Sequence, residues 1–497
     1  MTLSQLFEGQ SAVLERPGPA GMETNITDLA YDTRALHPGA AFFCLQGVCR
    51  DGHELAAKAA AQGAAALVVQ HSIQLPQNCQ IPVVRVKNSR LALALCSAQF
   101  FGQPARQLTL IGVTGTKGKT TTAHMLYAIL KAAGRKPGII GTNGAAWAGK
   151  SETLPNTTPE SYEVHRLFRQ MVDAGCDSVV MEVSSQGLMM DRVSGIHFAV
   201  GVFTNLYPDH IGGPGEHKSF EEYRAWKGKL FQRCDVGVVN WDDPNAPALL
   251  EGHTCRLVSY GIHCQEADYR ARQLELLRDV DVLGVRFILT GLEEMRVQVN
   301  MPGEFTVYNA LAAIAAARVL HLPGESIRYG LRRVQVRGRV ELVPVSRKFA
   351  VLIDFAHNES AAQSLLTTLR AYHPHRLICL FGCGGDRSPL RRQGMGRVIS
   401  QLADLLILTE DNSRTEPLAN ILADIRQGIY RGNPKVHQVE IPDRLDALHY
   451  ALDQAQPGDL ICILGKGHED YRDRGGEKTP FPERKLLLDY AKAKGIQ

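Results

Sequence analysis

The chain has 497 residues, too many for one ordinary core and enough for roughly two to four domains. Hydrophobic residues make up 44% and charged residues 21%, the balance of a soluble globular protein. With 55 basic and 51 acidic residues the net charge is +4, too even for bulk nucleic-acid binding, which rests on clustered positive charge.

No apolar run approaches the roughly 18 residues that a membrane-spanning helix needs. The first eight residues lack the basic-then-apolar order of a secretory signal. Neither membrane insertion nor export is expected. The 11 cysteines are scattered, several of them inside apolar stretches, with no C-x-x-C pair. Buried free thiols in a reducing cytoplasm are expected, and a structural zinc site is not.

In chain order, residues 1–105 alternate short apolar runs (40–45, 65–69) with an Ala-rich helical stretch (55–62) ended by Gly63, which reads as a small α/β unit. Residues 101–104 read as the linker out of it. From 106 to 335 strands are expected at 108–113, 178–183, 198–203 and 236–239, alternating with helices, which argues a mostly parallel sheet. Residues 266–301 read as hairpins within that domain, and 308–318 as a helix. From 336 to 497 a third α/β unit is expected, with strands at 350–354, 377–381, 405–409 and 460–464. Each of these strands ends in a polar cluster, as at the binding edge of a parallel sheet.

The stretch with the clearest chemistry follows the strand at 108–113 and precedes a helical pattern. Gly115, Thr116, Lys117, Gly118, Lys119, Thr120 and Thr121 form a glycine loop between a strand and a helix, the context of a phosphate-binding loop. Its glycines let main-chain N–H groups approach an anion, and the helix N-terminus adds partial positive charge. Lys119 can reach terminal phosphates and the Thr120 hydroxyl can ligate Mg²⁺. The spacing is the shorter G-T-x-G-K-T-T, because Val113 stands where the strict motif has glycine. Glu182, at a strand end, is placed to hold Mg²⁺ or to be a solvated terminus. His210 reads as a second cation ligand or a structural histidine. Lys227 reads as an ordinary surface lysine. Arg387 and Arg414 lie in turns after strands, where a guanidinium can fork onto a carboxylate or make surface salt bridges.

Taken together, the clusters resemble the Mur ligase family, MurE type, over essentially the whole chain. The matching segments include Asp32-Thr33-Arg34, Asp51-Gly52-His53, the phosphate loop, Asn156-Thr157-Thr158-Pro159, residues 181–185, 205–210, 338–341, 354–358 and 381–387, Asp411-Asn412-Ser413-Arg414, and 465–469. The resemblance implies three domains: an N-terminal UDP-binding domain (1–105), a central ATP-binding ligase domain (106–335) and a C-terminal Rossmann-like amino-acid-binding domain (336–497). It implies ATP at residues 115–121 and Asn309. It implies Mg²⁺ at Thr120, Glu182, His210 and a carbamylated Lys227. It places the substrate UDP-MurNAc-L-Ala-D-Glu at Thr33, Asn156, Thr157, Thr158, Ser184 and Arg192. The incoming amino acid falls at Arg387, Asp411, Asn412, Ser413, Arg414, Gly465 and Glu469. Lys119, Glu182, His210 and Lys227 would be the catalytic set of a cytoplasmic bacterial enzyme of peptidoglycan synthesis, working as a monomer.

The reaction so implied activates the D-Glu side-chain carboxylate as an acyl phosphate, which the amine then attacks. The family tetrad Asp-Asn-Pro-Arg goes with meso-diaminopimelate. Here Ser413 replaces the proline and Arg414 is kept, so meso-diaminopimelate is expected. L-Lysine or another diamino acid, a folylpolyglutamate-type ligase, and a nucleotide-binding paralogue without ligase activity are the alternatives. Val48-Cys49-Arg50, Met190, Gly212 to Gly215 and Ser388 depart from the family pattern.

Overall fold

The computed structural model describes residues 1–47, 50–209, 211–213, 215–279 and 282–496. Their contacts gather into two compact units: residues 1–268 with 312–327, and residues 269–311 with 328–497. The fold is mixed α/β with mostly parallel sheets, as the alternation of patterns implies.

The first unit holds two sheets. The smaller is built from Asp28–Ala30, Ala40–Phe43, Ala66–Val69 and Val83–Arg85 in parallel, with Val13–Arg16 antiparallel at one edge. Ala40–Phe43 and Ala66–Val69 within it are wholly buried, which suits runs of apolar residues covered on both faces.

In the larger sheet Thr109–Thr114 runs between Ser178–Glu182 and Phe198–Phe203, parallel to both. Pro137–Gly141 lies beyond the former; Cys234–Asn240 and Arg256–Gly261 lie beyond the latter. The phosphate loop and Glu182 thus emerge at the same end of adjacent strands, where ligands bind in parallel sheets. The strand at 137–141 went unread because a proline opens it and two glycines dilute it, signals that favour edges over interiors.

The second unit is a sheet in the order Glu341–Val343, Ala350–Asp354, Leu460–Leu464, Leu377–Phe381, Leu405–Leu408 and His437–Glu440, parallel except for the first strand. The hairpin strands Tyr269–Asp279, Val282–Gly291 and Met295–Val299 belong to this unit. Arg278 ties them down by donating to the carbonyls of Tyr372, His373 and Gly458. A short hairpin, Tyr471–Arg474 with Glu477–Pro480, follows the strand at 460–464.

The ten described cysteines are free, and all but Cys79 and Cys264 are buried. Among the described residues no helix is long and apolar enough to cross a membrane.

Candidate active site

The glycine loop takes its shape from the segment that follows the strand Phe198–Phe203. Thr116 N–H donates to the Asn205 carbonyl (2.9 Å) and Lys117 N–H to the Asn205 side chain (2.9 Å). The Thr204 hydroxyl and Asn205 Nδ2 both donate to the Lys117 carbonyl. Gly115 has φ +142°, and a Cβ there would strike the Thr204 hydroxyl, so no side chain fits. Gly118, with φ +87°, stands at the N-cap of the helix Lys119–Ala132, whose first N–H groups open into the loop.

Two ammonium groups converge on one carbonyl. Lys119 Nζ and Lys227 Nζ each lie 2.8 Å from Gly115 O. Lys227 is not the surface residue its composition suggests: it is only 2% exposed, with its Nζ 4.5 Å from the centre of the Tyr223 ring. Burial first, and then the charge of Lys119, pull its pKa well below the ordinary lysine value, against an opposing pull from Asp209. Tyr223 was missed from sequence. It stands one helical turn before Lys227 on the helix Phe220–Gly228, and its hydroxyl bonds the Thr116 hydroxyl at 3.0 Å.

Glu182 is buried, at 1% exposure, and is held from several sides. One carboxylate oxygen accepts from the Thr120 hydroxyl (3.0 Å) and the Thr142 hydroxyl (3.2 Å), the other from Thr142 N–H (2.8 Å). Thr142 was also missed, because nothing in its local pattern distinguishes it. The carboxylate and its neighbouring hydroxyls are hard oxygen donors beside a phosphate loop, a set that suits a small divalent cation. His210, expected with them, lies outside the described residues.

The expected substrate contacts extend from this point. The Thr142 hydroxyl meets that of Thr157 (3.1 Å), and Thr158 bridges the Glu182 carbonyl and Ser184 N–H. Asn156 beside them is exposed. Arg192 donates to Glu160 (2.9 Å) and to the Thr158 carbonyl (3.0 Å), and Glu160 also meets Arg90 of the small sheet's layer (3.3 Å). Thr33 is buried next to Arg34, which grips Asp32. Asp51, His53 and His71 also gather in that layer. Both ring nitrogens of His53 are already engaged, by Asp51 and by Gln70 N–H, which makes it a poor metal ligand.

In the second unit Arg387, Asp411, Asn412, Arg414, Gly465 and Glu469 line one cavity of 210 Å³, together with Phe355, His357 and Cys383. Arg414 has φ +51°, costly for a side chain of its size. The main chain holds it there: its N–H donates to Asp473 O, and its own carbonyl accepts from Gly475 N–H. Its guanidinium donates to Gly385 O at 2.6 Å. Burial, and then Asp411, push the Glu469 carboxyl up. The cavity therefore offers guanidinium groups and carboxylates together. Ser413 is buried between Asn412 and Arg414 in the chain but does not line the cavity, and Asn309 is buried on the helix Glu304–Val319.

The sequence matches three domain families in succession: Mur ligase family, catalytic domain, over residues 25–101; Mur ligase middle domain over 113–317; and Mur ligase, glutamate ligase domain, over 338–467. It is 37% identical to the UDP-N-acetylmuramoyl-L-alanyl-D-glutamate–2,6-diaminopimelate ligase of Clostridium perfringens, over 95% of this chain and 96% of that one. The chain belongs to the Mur ligase family. The ligase of the same name from Geobacillus kaustophilus is 38% identical over 96% of both chains. A solved structure of a ligase with that name superposes with a TM-score of 0.71 at 25% identity, covering 100% of both chains. A MurF structure from Acinetobacter baumannii, at 20% identity and a TM-score of 0.65 over 99% and 98% of the two chains, shares the fold. As a Mur ligase the protein is an ATP-dependent enzyme.

Proposed function

We propose that this enzyme joins meso-diaminopimelate to the D-Glu side-chain carboxylate of UDP-MurNAc-L-Ala-D-Glu, cleaving ATP to ADP and phosphate, in the bacterial cytoplasm. The observation that carries the choice of amino acid is the cavity around Arg414, where guanidinium groups and carboxylates stand side by side. A zwitterion at the far end of diaminopimelate answers both charges. Lysine has no second carboxylate, and leaving the half-buried Arg414 without one would cost about 1–3 kcal/mol.

The chemistry follows from the two clusters. The γ-phosphoryl group of ATP passes to the D-Glu carboxylate, giving an acyl phosphate and ADP. The amine nitrogen then attacks the acyl carbon, the carbon–oxygen bond breaks, phosphate departs and the nitrogen gives up a proton. Main-chain N–H groups of residues 115–121 cradle the phosphates, and Lys119 exchanges its own loop carbonyls for phosphate oxygens. Glu182 and Thr120, with His210, would hold Mg²⁺, which offsets charge on the transferring phosphoryl group when bound.

Lys227 is proposed to carry a carbamate. A buried amine deprived of its proton is the form whose nitrogen bonds the carbon of CO₂ and then releases a proton, and the product is an anion at the phosphate loop. Asn309 is assigned to the nucleotide; Thr33, Asn156, Thr157, Thr158, Ser184 and Arg192 to the UDP-linked dipeptide; Arg387, residues 411–414, Gly465 and Glu469 to the amino acid. The corresponding functional domains are 1–105, 106–335 and 336–497.

The test is ADP release from the purified protein with ATP, UDP-MurNAc-L-Ala-D-Glu and a panel of diamino acids. Release fastest with meso-diaminopimelate is expected. Faster release with L-lysine would overturn the specificity, and no release with any diamino acid would overturn the ligation.

A further inference from the structure

Lys466 is fully buried, at 0% exposure, on the turn that leaves the strand Leu460–Leu464. An ammonium group is kept out of water only where other groups compensate it. Here Nζ donates to Asn412 Oδ1 at 2.8 Å and stands 3.6 Å from Asp411 Oδ1. Asn412 Oδ1 also accepts from Asp473 N–H at 3.0 Å. An ammonium only donates, so the amide of Asn412 must turn its oxygen toward Lys466. Its Nδ2 then faces the other way and donates to Glu469 Oε2 at 2.7 Å. Asp411 and Glu469, two carboxylates of one cavity wall, are near enough for Asp411 to push the Glu469 carboxyl up. The charge of Lys466 offsets part of their mutual repulsion, and the guanidinium groups of Arg387 and Arg414 line the same cavity.

We infer that Lys466 is a positioning residue for amino-acid selection: by fixing the carboxamide of Asn412 it aims Glu469 at the distal ammonium of the incoming diamino acid, while Arg414 and Arg387 take the neighbouring carboxylate. The inference rests on the cavity being the amino-acid site. Lys466 itself does not line the cavity and acts only through Asn412 and Asp411.

The experiment compares meso-diaminopimelate with 2-aminopimelate, which keeps both carboxylates but lacks one ammonium, in the wild type and in Lys466→Met. The wild type prefers diaminopimelate. In Lys466→Met the KM for diaminopimelate rises roughly tenfold, while the KM values for 2-aminopimelate, ATP and the UDP-linked substrate stay put. Lys466→Gln, which keeps a donor for Asn412 Oδ1, recovers part of the preference; if Lys466→Met does not fold, it carries the comparison instead, with a smaller rise. An unchanged preference in folded variants, or an equal loss on all substrates, overturns the positioning role. A wild type that releases no ADP with diaminopimelate overturns the functional reading instead.

Discussion

Two lysines are buried beside the two candidate sites, and their surroundings make them opposites. Lys227 shares one carbonyl with a second ammonium and has an aromatic ring beneath it. Lys466 has a carboxamide oxygen at 2.8 Å and a carboxylate at 3.6 Å. Burial lowers the pKa of both. At Lys227 the neighbouring Lys119 adds to the effect of burial; at Lys466 the leading neighbour, Asp411, opposes it. One environment adds to the cost of the charge and the other offsets part of it. Burial alone does not decide what a lysine does; the sign of its nearest charge does.

The largest effect that sharpens this contrast is expected from Lys227→Ala. ADP release should fall about 10²–10³-fold, as when a charge-stabilising group is removed from an active site. Formate or acetate should restore part of it by supplying the missing anion, and ATP binding measured by calorimetry should persist. Full turnover in the variant would end the distinction between the two lysines.

Next comes Arg414→Ala, which should raise the KM for meso-diaminopimelate about 10–100-fold and narrow its advantage over L-lysine, read in the same ADP assay.

A smaller effect concerns pH. The folded-state pKa of Lys466 lies below the ordinary 10.5, so as pH rises toward that value the folded protein gives up this proton before the unfolded chain does. Stability from this group therefore rises with pH over that window. Thermal denaturation should show the wild type gaining on Lys466→Met as the pH is raised toward 10.5. A constant difference would mean that Lys466 is not held against its charge.

The smallest effect is Ser413→Pro. Among the described bonds the Ser413 N–H donates none, so the ring should stiffen the turn and add about 0.5 kcal/mol, seen as a slightly higher melting temperature.

The strand–loop–helix at 109–132 was legible because its apolar periods change type across a glycine turn. The strand ends carrying Glu182, Asp411 and Gly465 were legible because polar residues interrupt long apolar runs there. The burial of Lys227 was not. The helix Phe220–Gly228 carries charged residues around it, and only the fold sets one of them inside. Thr142 and Tyr223 act through partners 40 and 107 positions away in the chain, and local pattern holds no trace of such pairs. Lys466 lies inside the matching segment 465–469 yet carries no role legible there, since its work is done through another side chain. The hairpin at 471–480 went unread because it is short, charged and turns on two glycines.

That hairpin has a bearing on how the pocket could change. Arg414 is sewn to it by main-chain atoms, through Asp473 O and Gly475 N–H. Such stitches are indifferent to side-chain identity, so substitutions on the two strands leave the arginine's backbone posture alone, whereas Gly475 and Gly476, with φ +61° and +83°, admit no other residue without strain. An insertion or deletion near the Gly475-Gly476 tip is another matter, because it would slip the stitches and let the backbone of Arg414 relax out of its left-handed turn. The choice of amino acid is then exposed to changes of loop length at a place that touches no substrate, and an alignment confined to the lining residues would miss them.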